Sequence, residues 1–142
     1  MRRMVNRAIS CLVIAVTSVA CATHDCTEIG CFDGVRFEMT PAVVADGAVT
    51  VELTGDGVAL TCSQPIGIPG PCFDAGLTFW EENGTLVAIE LGQRHPNTVA
   101  LRVLVAGSVA REVTTSVKYV DDQPNGEDCG GCRNASVDVP AP

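Results

Sequence analysis

Residues 77–91 read LTFWEENGTLVAIEL. At the centre, Asn83-Gly84 supplies two residues that tolerate a positive φ, which the two-residue type I′ turn of a β-hairpin demands. The flanking runs, 77–82 and 85–91, are rich in β-branched, aromatic and leucine side chains and have strand length. Val87, Ile89 and Leu91 read as the apolar face of the second arm. Trp80 falls on the opposite face from Leu77 and Phe79, so one of those faces is expected to be partly covered or exposed.

The same period of two continues on both sides of this hairpin. Upstream, Val35, Phe37 and Met39 alternate with Arg36, Glu38 and Thr40. Val49, Val51 and Leu53 alternate with Thr50 and Glu52, and Val58, Leu60 and Cys62 with Ala59 and Thr61. Each is a half-buried strand. Pro41 is expected to end the first, and Gly55-Asp56-Gly57 separates the second from the third. Residues 63–76, SQPIGIPGPCFDAG, carry three prolines and three glycines and read as a loop clamped by Cys62 and Cys72. Downstream, Val99, Leu101, Val103 and Val105 define a sixth strand, and Ala106-Gly107-Ser108 turns the chain. A seventh runs over 109–120 with Val113, Thr115, Val117 and Tyr119 on one face. Arg111 disturbs that face, so a bulge or strand switch is expected near it. No segment shows helical periodicity with caps. About seven short strands with turns between them predict an all-β, antiparallel sandwich.

The chain has 142 residues, of which 46% are hydrophobic but only 4% aromatic. That excludes a disordered chain and predicts a core of Val, Leu, Ile, Ala and cystine. Arg2, Arg3 and Arg7 precede a charge-free run over residues 8–20, AISCLVIAVTSVA. The run is too short to span a bilayer, which takes about 20 residues, and reads as the apolar part of an export signal. The expected organisation is a signal peptide over 1–20, Cys21 and a tether over 21–33, a sandwich domain over 34–138 and a tail over 139–142. No later stretch is apolar and long enough for a transmembrane helix. Beyond the signal, six basic residues face seventeen acidic ones, a net side-chain charge of −11. Nucleic-acid binding through a basic patch is excluded, and anionic lipid headgroups repel such a surface.

Eight cysteines in so short a chain point to an oxidising compartment. Cys11 leaves with the signal. Cys21 is the odd one of the remaining seven, so Cys26, Cys31, Cys62, Cys72, Cys129 and Cys132 form an even set for three disulfides. Cys62–Cys72 closes a local loop. The other four allow three connectivities. Pairing the two ends of the domain is favoured, because a loop near 100 residues gives up to ~4.7 kcal/mol in the chain-entropy model. Cys129-Gly-Gly-Cys132 also has the spacing of a redox pair or half a zinc site. Its acidic setting, Glu127-Asp128, raises a thiol pKa, and the expectation is structural cystine.

Other chemistry is thin. Asp121, Asp122, Glu127 and Asp128 are the clustered candidates for calcium, but no D-x-D-x-D-G ladder is present. His24 lies in the tether, and His95 precedes Pro96 and reads as a solvated turn residue. No nucleophile-and-base motif is found, so the chain reads as a non-enzyme without a cofactor. Asn83-Gly-Thr85 and Asn134-Ala-Ser136 match the glycosylation sequon, though the turn already explains Asn83.

Thr17-Ser18-Val19-Ala20-Cys21 resembles the lipobox of bacterial lipoproteins, with Ala20 before the cut and Cys21 at the acylated position; Ser18 stands where an aliphatic residue is usual. The resemblance implies a Cys21 lipid anchor. Ala22, in place of the Asp that favours inner-membrane retention, implies the outer membrane. The strand pattern looks like an immunoglobulin-like or transthyretin-like sandwich. Pro124-Asn125-Gly126 followed by the Cys129–Cys132 pair resembles short secreted bacterial lipoproteins of unknown function. The expectation is a monomeric, non-catalytic, lipid-anchored envelope protein acting on a protein or glycan partner. The alternatives are a secreted soluble ligand- or calcium-binding sandwich and an exported thiol–disulfide protein.

Overall fold

The computed structural model describes residues 30–142. Among the described residues, nine strands form two packed sheets. Seven lie where the alternation places them: β1 (Gly34–Val44), β2 (Ala48–Gly55), β3 (Val58–Pro65), β4 (Leu77–Glu82), β5 (Thr85–Gly92), β6 (Thr98–Val105) and β7 (Ser108–Ser116). Two more follow, β8 (Val120–Asp122) and β9 (Cys132–Pro140). One sheet has the order β4-β5-β1-β9-β8 and the other β3-β2-β6-β7. Helix is confined, among the described residues, to one turn, α1 (Pro71–Asp74), and a 3-10 turn at Glu127–Cys129. The fold is an all-β sandwich.

The inner faces meet through Phe37, Leu77, Ile89 and Leu91 from the five-stranded sheet and Val49, Val51, Leu53, Leu101 and Val103 from the four-stranded one, all fully buried. Each such side chain contributes about 1.5–3 kcal/mol on burial. With so few aromatics, branched aliphatics fill the space between the sheets. The Asn83-Gly84 turn has φ of 50° and 75°, as the hairpin reading requires.

Four features differ from the sequence reading. Pro41 does not end β1: the strand continues through a cis Thr40–Pro41 peptide to Val44. In β5 the inward residue is Leu86, fully buried, and not Val87, which is half-buried. Against β4 the ladder passes from Trp80↔Ala88 to Glu81↔Leu86, so Val87 is the extra residue and parity inverts across it; against β1 the ladder breaks at the same place, from Glu38↔Ala88 to Val43↔Leu86, with the surplus residues on β1. The antiparallel expectation holds for every ladder but one, since β1 and β9 run parallel from Gly34↔Asn134 to Thr40↔Pro140. Finally, β9 extends to Pro140 with Val139 fully buried, so the packed domain reaches into the stretch read as a tail.

The expected bulge near Arg111 is present. Val103 faces Arg111 and Leu104 faces Val109, leaving Ala110 over. It does not turn Arg111 outward. Arg111 is buried on the same face as Val113 and Thr115, and its Nη2 donates to the Pro41 carbonyl of the opposite sheet. The strand read over 109–120 breaks after Ser116, and residues 117–119 carry the chain from one sheet to the other.

Candidate functional site

At the end of the sandwich where β1 and β9 begin, four segments meet around Asp33. Its Oδ1 accepts the Arg133 backbone N–H at 2.8 Å and the His95 Nε2–H at 3.0 Å. Its backbone carbonyl accepts from Gln93 N–H. His95 Nε2 also lies 3.1 Å from the Arg133 carbonyl. Both neighbours of Nε2 are acceptors, so this nitrogen carries the proton. Tyr119 meets the imidazole edge-on at 5.4 Å and donates its O–H to the Pro96 carbonyl at 2.9 Å. The Arg133 guanidinium covers the Tyr119 ring at 4.9 Å. The Arg133 N–H, together with His95, holds the Asp33 carboxyl below its ordinary range. Burial pushes the Tyr119 phenol up to about 12, against a small opposing pull from Arg133. Chemically this is a tie between the β5–β6 turn, the start of β1, the 117–119 crossing and β9. His95, read as a solvated turn residue, is half-buried within it.

Beside this tie, Cys31 is bonded to Cys132, with Cα atoms 5.9 Å apart. Cys62 is bonded to Cys72. Cys129 is also disulfide-bonded, so it is not paired with Cys132, and the C-x-x-C spacing forms no vicinal redox pair. Cys21, Cys26 and His24 lie outside the described residues. Asp121 and Asp122 are successive strand residues that point to opposite faces. Asp121 approaches Arg133 at 3.9 Å. Among the described residues no three His, Cys, Asp or Glu side chains come together to hold a metal. Among them, too, no helix is long and apolar enough to cross a membrane.

A second feature lies at the open edge of the sandwich. The loop between Cys62 and Cys72 folds back beside β4 and leaves a slot of about 230 Å³. Ile68, Pro69, Phe73 and Phe79 wall it, Glu81 stands at its rim and Gln64 at its base. Ile68 and Phe73 are 59% and 60% exposed, large values for apolar side chains held by a cystine. Gln64 is buried, and its Oε1 accepts the N–H groups of Cys72 at 2.9 Å and Phe73 at 3.4 Å. Those two donors fix the amide orientation. Trp80 projects from the other face of β4, where Arg36 lies over its ring at 5.0 Å. Arg36 is in turn paired to Glu90 at 2.7 Å and to Glu38. Phe73 and Trp80, the large aromatic side chains that are exposed among the described residues, therefore serve different surfaces.

Sequence reasoning missed Gln64 and Asp33. The signal for Gln64 was its place in the inward parity of β3, after Val58, Leu60 and Cys62. No family model, curated protein or solved structure matches the chain.

Proposed function

We propose that this chain is a non-catalytic, lipid-anchored protein of the cell envelope, in which a disulfide-stapled β-sandwich serves as an interaction or structural module. The observation that carries the reading is the oxidised state of all five described cysteines, Cys31, Cys62, Cys72, Cys129 and Cys132. Stable cystines belong to extracytoplasmic compartments. The lipobox-like Thr17–Cys21 stretch supplies the anchor, and the acidic composition supplies no other membrane contact. The ionisable groups support the module reading. Asp33, His95 and Arg133 are engaged with one another, and Arg36, Glu38 and Glu90 form a closed outer-face network.

Mass spectrometry of the mature N-terminus, with and without reduction, tests this. The expected result is an acylated Cys21 and three cystines. An unmodified N-terminus after Ala20 or Ala22 on a soluble protein would replace the anchor with ordinary secretion.

A further inference from the structure

The geometry points to the slot between the Cys62–Cys72 loop and β4 as a docking site for an extended polypeptide segment that presents an apolar side chain next to a lysine or arginine. This names the partner chemistry of the interaction module and rests on that reading.

Three observations carry it. The walls, Ile68, Phe73 and Phe79, are apolar, and two of them are kept exposed by a loop that a cystine holds in place. An apolar pocket with few, placed polar groups is the usual form of a recognition site. Gln64 supplies such a group. Both of its hydrogen bonds among the described residues use Oε1, and its NH2 makes none there. Arg111 Nε is the side-chain atom that is both sealed from solvent and without a partner among the described residues, so the Gln64 NH2 reaches solvent, and Gln64 lines the slot. The Gln64 NH2 thus offers N–H donors to the slot, which suits a peptide carbonyl.

The third observation is charge and edge. Glu81 stands at the rim with its carboxylate over Gly67, and Glu82 is beside it. On an acidic domain this rim favours a cationic partner and repels an acidic one, including a second copy of this chain. β4 is the outermost strand of its sheet, so its free edge can add main-chain hydrogen bonds to an extended segment. The apolar side chain then enters between Ile68 and Phe79, a carbonyl accepts from Gln64, and the cation meets Glu81.

The test uses the full chain with Cys21→Ser, exported and purified, against a displayed random linear peptide library. Counter-selection uses the same protein carrying Ile68→Asn and Phe73→Asn, two exposed sites whose change leaves the core intact. Enriched peptides are expected to carry an apolar residue beside Lys or Arg. Their amide shifts on the protein should fall at 67–69, 73 and 78–81. Gln64→Glu keeps the acceptor for Cys72 and removes the donor, and should weaken binding about tenfold, as should Glu81→Lys. Trp80→Ala, on the opposite face, should leave affinity unchanged. No enrichment over the double variant overturns the proposal, as do enriched peptides indifferent to both Gln64→Glu and Glu81→Lys. Membrane attachment of the wild type is scored separately, so a blank selection refutes the slot and leaves the anchor standing.

Discussion

Cys31 and Cys132, separated by 101 residues, are covalently joined beside the point where β1 and β9 begin to run in parallel. Such a pair cannot be made by a local turn, because parallel neighbours need a long connection. Here the connection is nearly the whole domain, and the cystine fixes its ends.

Replacing Cys31 and Cys132 together by Ser should therefore cost more than replacing Cys62 and Cys72. The long loop predicts about 3–5 kcal/mol, and the ten-residue separation of the other pair about 3 or less. Urea titration of the two double variants measures the difference. Equal losses would show that the long loop constrains the denatured chain no more than the short one does.

Acid should loosen the tie around Asp33. Its carboxyl titrates below the ordinary range in the folded protein, chiefly through the Arg133 N–H. A depressed folded pKa contributes stability that is present above the unfolded value, near 3.9, and is lost as pH falls through the folded one. Asp33→Asn should be less stable than the wild type at neutral pH and should converge with it as pH falls below that window. Melting curves across acid pH check the convergence.

Base acts on Tyr119, the one tyrosine in the chain. Its phenol is pushed up to about 12 from 10.0. A raised folded value means the tyrosine's contribution is intact below pH 10 and declines between pH 10 and about 12, because the unfolded chain releases the proton first. Phenolate absorbance should rise late in the folded protein and at the ordinary pH in denaturant. Tyr119→Phe should flatten the decline.

Leu86→Ala should destabilise the domain by about 2–4 kcal/mol, and Val87→Ala by well under half of that, although simple alternation points Val87 inward. Chemical denaturation of both reads the parity inversion directly.

Arg111→Ala should cost about 2–3 kcal/mol, since it leaves the Pro41 carbonyl without its donor. Arg111→Lys should recover only part of this, because one ammonium cannot span the Pro41 and Ala110 carbonyls as the guanidinium does. Thermal melts of the two variants give the comparison.

The first seven strands were legible because each buries one face and carries two-residue periodicity. β9 is less legible as a strand, although Ala135, Val137 and Val139 alternate with Asn134, Ser136 and Asp138. Its Pro-ended sequence and the glycines before it dominate the local signal, and its pairing partner lies a hundred residues upstream. The inward turn of Leu86 was hidden for a different reason. The bulge near Arg111 is marked by a charge within an apolar face, whereas Leu86, Val87, Ala88 and Ile89 are all apolar and nothing in them marks where parity inverts. The tie at Asp33 and the slot at Gln64 are tertiary assemblies. Their members are ordinary loop and strand residues until the sheets bring them together.

The covalent join at Cys31 also determines how the domain bears mechanical load. A pull applied upstream of Cys31 and downstream of β9 passes through the cystine straight into β9, leaving the long loop between Cys31 and Cys132 out of the force path. Tension of that kind can strip β9 from β1 only along the short ladder between Gly34 and Thr40. A molecule held at its amino-terminal side thus takes such a load on β9, while the strands between Cys31 and Cys132 stay outside the line of force.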